Sequence, residues 1–180
     1  MSESEDFHAA LNRLARLLRD EDERGLVLTM AAFAEDLLGR LIRGYLVEVK
    51  ASGELLDGFN APLGTLSSRI KGAYALGLLS KEQFADLEHL RKIRNEFAHK
   101  WEGCSYARKD IASRIAKMTP SRIPSDDDNK TPKHKLRTSI SCVLTELDVL
   151  ARLIRERHQR IRPLAMHLSL TPPKGSWPFS

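Results

Sequence analysis

A chain of 180 residues, 42% hydrophobic and 29% charged, has enough apolar material for one core and too little length for two comfortable domains, and its composition is that of a globular protein. The opening Met1-Ser2-Glu3-Ser4-Glu5-Asp6 lacks the basic and apolar regions of a signal peptide, and the apolar stretch at residues 26–34 stops at Glu35-Asp36, far short of the roughly 18–20 residues that span a bilayer, so a cytoplasmic protein without a membrane contact is expected. The net charge of +5 is concentrated: residues 130–162 hold nine Lys/Arg against three acids, which leaves about −1 for the rest of the chain.

Apolar positions recur every three or four residues almost throughout and runs of alternating β-branched residues are missing, which predicts an all-α protein. A first helix is expected over about residues 4–22, with Phe7, Leu11, Leu14, Leu17 and Leu18 on one stripe. After Gly25 a longer, central helix is expected over about residues 26–51, with Leu28, Phe33, Leu37, Leu41, Tyr45 and their neighbours buried. Ser52 to Asn60 has the glycines and turn formers of a loop, and Pro62 suits the first turn of a third helix over about residues 62–76, closed by Gly77. Ser80-Lys81-Glu82-Gln83 fits a capping box, so a fourth helix begins at Lys81. Its stripe is Phe84, Leu87, Leu90, Ile93 or Arg94, and Phe97, and Gly103 stops it. A short helix near residues 108–118 follows. Residues 119–134, with three prolines and three consecutive aspartates, read as a mobile loop. The last helix, about residues 135–162, should bury Ile140, Val143, Leu144, Leu147, Leu150 and Ile154. A Pro-rich tail fills residues 163–180.

Several chemistries lose support at once. No phosphate-binding P-loop, dinucleotide G-x-G-x-x-G, zinc-protease H-E-x-x-H or hydrolase G-x-S-x-G occurs. Cys104 and Cys142 are far apart and lack paired histidines, so they read as free thiols, and neither a metal nor a cofactor is called for. The turn at residues 76–80 joins two helices, yet the second carries a full apolar stripe, as a core helix does, and is a poor reader of base edges.

The most chemical segment is Arg91 to Trp101. Asn95 and His99 are four apart on the expected helix, so their side chains share a face on which the amide can orient the imidazole. An imidazole can take a proton from a ribose 2′-hydroxyl, and the neighbouring Arg94 guanidinium can stabilise charge on the adjacent phosphate. Equally, Arg94 can be structural and His99 can sit at a helix C-terminus, where positive charge is favoured. On the third helix, Arg69, Lys71 and Tyr74 form a second candidate set. Arg69 can lie across a groove from Arg94, making a phosphate-sized basic pocket, or can pair with Asp57, Glu88 or Glu96. The basic final helix offers Arg152, Arg155, Arg157, Arg160 and Arg162 to nucleic acid or an acidic partner, or is simply a solvated face.

Arg94-Asn95-Glu96-Phe97-Ala98-His99 resembles the Arg-x4-6-His signature of the HEPN superfamily of all-helical proteins. That resemblance implies a metal-independent endoribonuclease assembled across a dimer, although Trp101 stands where many such toxins carry a tyrosine. A wider stretch, Ala61-Pro62-Leu63-Gly64-Thr65-Leu66-Ser67-Ser68-Arg69-Ile70-Lys71, Ala73-Tyr74-Ala75-Leu76-Gly77-Leu78-Leu79 and the helix from Asp86 to His99, is similar to the mannitol operon repressor family. It covers about residues 25–100 and implies an all-helical regulator without its own DNA-reading motif.

The expectation is therefore one domain over residues 1–162, a single bundle of about six helices with a HEPN-like antiparallel pair, followed by the tail. It is expected to be a homodimer that acts through a protein partner or nucleic acid, RNA more readily than direct DNA reading. The alternative is a ribonuclease using Arg94, Asn95 and His99.

Overall fold

A computed structural model describes residues 16, 21–100, 102–120 and 131–157. The described residues form helices α1 (Glu23–Tyr45), α2 (Lys50–Leu56), α3 (Leu66–Ala75), α4 (Lys81–His99), α5 (Lys109–Ala116) and α6 (Pro132–Arg157), with no strand among them. The expected helix over residues 4–22 lies outside the described residues apart from helical Arg16 and from Glu21 and Asp22, which are not helical, and the centre of the 119–134 segment and the whole tail lie outside them too.

Local chemistry sets the helix starts. Asp22 caps α1, its side chain accepting the Gly25 N–H at 2.7 Å. The box read at Ser80 is complete: Ser80 Oγ accepts Gln83 N–H at 3.2 Å, and Gln83 Oε1 accepts Ser80 N–H at 2.9 Å. Thr65 and Ser68 make the same reciprocal pair at the start of α3. That cap places the start of α3 at Leu66, not at Pro62. α3 ends where Gly77 takes a left-handed φ of 73°, with Leu78 N–H returning to Ala73 O at 2.9 Å.

Two further boundaries differ from the sequence reading. α1 stops at Tyr45 because Leu46 is extended, and the expected loop at residues 52–60 begins inside a helix, α2, which buries Leu56. α6 starts at Pro132, a residue suited to a first turn because its missing N–H would have no intrahelical partner, so the end of the expected mobile loop is helical.

Long-range hydrogen bonds fix the helix directions. Arg24, at the start of α1, donates to Phe97 O and Lys100 O at the end of α4, so these helices run antiparallel. Lys133, at the start of α6, donates to Glu21 O at 2.6 Å, and Gln83 at the start of α4 meets Glu146 of α6 at 2.8 Å. α6 therefore runs parallel to α1 and antiparallel to α4. Their shared core contains Leu26, Met30, Leu38, Leu41 and Ile42 of α1, Leu87, Leu90, Ile93 and Phe97 of α4, and Leu136, Ile140, Leu144 and Leu147 of α6. Burying each large aliphatic side chain stabilises the fold by about 1.5–3 kcal/mol. Ile93 takes the core position on α4 and leaves Arg94 exposed.

Candidate functional site

An open cleft of about 330 Å³ lies where α1, α3 and α4 meet, lined by Leu28, Ala31, Ala32, Glu35 and Asp36 of α1, Arg69 of α3 and Arg94 of α4. Leu28, Ala31, Ala32 and Glu35 follow one another at helical spacing on one face of α1, and the two small alanines leave room between the flanking helices. Arg69 and Arg94 do face one groove.

Arg69 is held differently from either sequence expectation for its partners. It donates Nε to Leu63 O at 2.8 Å, Nη1 to Glu35 O at 2.8 Å and Nη2 to Leu56 O at 3.1 Å. None of its expected carboxylates pairs with it. Asp57 binds Arg43, Glu88 binds Arg91 at 2.8 Å, and Glu96 takes Lys100 at 2.9 Å and Arg108 at 2.8 Å. The reason is reach: Glu88 and Glu96 each have a base on or just past the end of their own helix and Asp57 has Arg43 of α1, while Arg69 sits against the carbonyls of Leu63, Leu56 and mid-helix Glu35. Gly39 makes this possible, since a Cβ there would stand 2.9 Å from Arg69 Nη1.

Arg94 Nη1 donates to Asn95 Oδ1 at 3.3 Å. Thus the Asn95 oxygen is turned toward Arg94, and among the described residues no hydrogen bond joins Asn95 to His99. His99 is exposed in the last turn of α4. Asp36, on the cleft wall, pairs with Arg40 at 2.6 Å, so the cleft mixes two guanidinium groups with two carboxylates and is not a purely basic pocket.

The other candidates are dispersed. Lys71 is exposed on α3, where its charge helps keep the Glu88 carboxyl below its ordinary range, an effect led by the hydrogen bond from Arg91. Tyr74 stacks on Phe84 with ring centroids 4.4 Å apart. On α6, Arg152 pairs with Asp148 at 3.0 Å and Arg155 is exposed. The side chain of Arg157, and Arg160 and Arg162 altogether, lie outside the described residues. Two other bases of this segment are helix anchors, Lys133 on Glu21 O and Lys135 on Ala116 O at 2.6 Å. Among the described residues no group of three His, Cys, Asp or Glu is arranged to hold a metal.

Several fixed polar contacts were not foreseen. Glu23 Oε2 accepts the Tyr106 N–H at 2.7 Å while Tyr106 Oη donates to Glu23 O at 3.0 Å; burial first, then the negative Glu23 and Asp22, holds this phenol above its ordinary range. Buried Asp86 accepts Thr119 N–H at 3.0 Å, and Ser139 donates to Thr119 O at 2.6 Å. Asp86 lies beside Leu87 on the buried stripe of α4, and that register is the signal that would have found it. His89, one turn on, has its Nδ1 buried without a hydrogen-bond partner among the described residues, and burial pushes its pKa down against the opposing pull of Asp86.

A different surface is apolar. Phe59 is 98% exposed, and Val47, Val49 and Leu55 are exposed in the same short segment after α1.

These features define an all-α protein whose α4 is a core helix and whose polar groups mostly tie helices together. The family model described as "Mannitol repressor" matches residues 27–169, and the chain belongs to that family. It is 43% identical over 56 residues to the mannitol operon repressor of Escherichia coli K12, and equally so to that of E. coli O6:H1. These matches cover 31% of this chain and 27% of each relative. The fold is similar to a chain in the X-ray structure of the MtlR-HPr complex from E. coli, with a TM-score of 0.54 and 22% identity over 80% of this chain and 97% of that one. No described helix is long and apolar enough to cross a membrane.

Proposed function

We propose that this chain is a regulatory protein, of the repressor type its family is named for, that works by docking a protein partner and does not itself read DNA. The observation that carries this reading is the match of residues 27–169 to the mannitol repressor family, together with a fold like that of a chain crystallised with HPr. The burial of Leu87, Leu90, Ile93 and Phe97 supports it, because a helix committed to the core on that face is poorly placed to enter a major groove. Lys133 and Lys135 are also engaged on backbone carbonyls, which ties two ammonium groups of the basic segment to helix contacts that phosphate oxygens would otherwise compete for. The same reading takes the protein to be a cytoplasmic homodimer.

Calorimetric titration of the purified full chain with HPr from its own organism, and separately with duplex DNA and single-stranded RNA, tests the proposal. Saturable binding of HPr with little heat from either nucleic acid is the expected result. Tight, salt-sensitive binding of nucleic acid with none of HPr would overturn it. A cleavage assay on the same RNA in EDTA settles the ribonuclease alternative, for which the Arg94–Asn95 contact provides no oriented imidazole.

A further inference from the structure

We propose that Val47, Val49, Leu55 and Phe59 form the surface on which the protein partner docks, with the Phe59 ring as its anchor. This rests on the partner-docking reading above and adds the place and the chemistry of contact.

Exposure is the first argument. A phenylalanine that is 98% exposed forgoes the stabilisation its burial would bring, and three further apolar side chains within thirteen residues do the same: Val47 at 47%, Val49 at 54% and Leu55 at 37%. Aromatic side chains seated in a partner's recess are the usual centres of binding energy at protein interfaces.

Order is the second. The segment that displays Phe59 is held by its own backbone: Asp57 N–H donates to Gly53 O at 2.8 Å, Ala61 N–H to Gly58 O at 3.3 Å and Leu63 N–H to Leu55 O at 2.7 Å. Gly58 and Asn60 both take positive φ, 99° and 64°, so the chain turns sharply on either side of Phe59. Arg69 then closes the base of this turn. One guanidinium binds Leu56 O and Leu63 O, the two ends of the displayed loop, and also Glu35 O in the middle of α1. An aromatic ring on a clamped loop loses little conformational freedom on binding. Arg69 is in this sense a positioning residue.

Charge selects the class of partner. The rim holds Glu48, Glu54 and Asp57 against Lys50 and Arg43, in a chain whose net charge is +5. Arg43 pairs with Asp57, and Lys50 with Glu54 at 3.3 Å. With three acids against two bases, and both bases already paired, such a rim offers little to a polyanion. It suits a globular protein with an apolar recess for the ring and an edge that is neutral or basic.

The test is titration of HPr into the wild-type full chain and into Phe59→Ser, Val49→Ser and Glu54→Lys, with sedimentation of each protein alone. The expected result is at least a tenfold weakening by Phe59→Ser, a smaller loss in Val49→Ser and Glu54→Lys, and an unchanged oligomeric state in all. If the wild type binds HPr and Phe59→Ser and Val49→Ser bind it equally well, the surface proposal falls and the partner reading stands. If the wild type does not bind HPr, the partner reading falls and takes this proposal with it. A variant that binds HPr normally but sediments as a smaller species would make the patch an interface between copies of this chain and overturn the proposal. Circular dichroism of the variants checks that the fold survives; these exposed positions leave it intact.

Discussion

The two ends of α1 are built on opposite principles. At its start, Asp22 caps the helix, Glu23 and Tyr106 exchange two hydrogen bonds, Arg24 satisfies carbonyls at the end of α4, and Lys133 reaches Glu21 O. Phe97 fills the space beneath and meets the Tyr106 ring edge-on at 5.7 Å. Past its end, the chain leaves the helix through extended Leu46 and puts Val47, Val49, Leu55 and Phe59 into solvent. Polar groups are spent on cohesion at one end, whereas apolar groups are left unspent at the other. Stability and recognition are thereby separated along a single helix.

That contrast is broken most severely by Phe97→Ala. The side chain is 1% exposed, and its removal should lower the unfolding free energy by about 3–5 kcal/mol in a denaturant titration. Next comes Arg69→Met, which keeps the stem but removes all three guanidinium hydrogen bonds; about 2–4 kcal/mol of stability should be lost. At this position the stability loss should be accompanied by faster amide exchange at Leu63, whose N–H closes the turn. Phe59→Ser sharpens the comparison from the other side, since it should leave stability within about 0.5 kcal/mol of wild type. A large loss there would mean that the exposed end also serves cohesion.

The smallest effect concerns pH. His89 has its pKa held below the ordinary 6.5 by burial, with Asp86 opposing and Lys92, Arg114 and Lys117 assisting. The unfolded chain therefore takes up this proton first, so the contribution is favourable above the ordinary value and is lost as pH falls through it. Melting temperature should decline between about pH 7.5 and about pH 5.5, and His89→Gln should flatten that decline. The lowered carboxyls of Glu88, Glu96 and Asp110 act in a more acidic window, below their ordinary 4.5, 4.5 and 3.8.

Local signals carried the sequence reading where they were strong. The all-α class, the Ser80–Gln83 box and the buried positions Leu87, Leu90, Phe97, Ile140, Val143, Leu144 and Leu147 all follow from periodicity and capping. α2 escaped because seven residues with a glycine inside them make barely two turns and bury a single leucine. The α3 start was misplaced because Pro62 is a familiar opening residue, whereas a box closed by Ser68 in place of Glu or Gln is a weaker pattern. Arg69 and Arg94 line one cleft, an arrangement the sequence offered as one of two alternatives, yet the partners of Arg69 were invisible. Backbone carbonyls have no letter in a sequence, and Glu35, Leu56 and Leu63 come together only through the fold.

The guanidinium clamp of Arg69 gives the Phe59 turn an unusual freedom. The residues that hold the loop, Leu56 and Leu63 at its feet, are distinct from those it displays, so the tip can change length or composition without disturbing the core. Lengthening a flexible loop costs only about 0.6 kcal/mol for each doubling. Insertions beside Phe59 should accordingly be tolerated where insertions in α1 or α4 are not, and this tip is the natural place to graft a peptide or for related chains to diverge in what they bind.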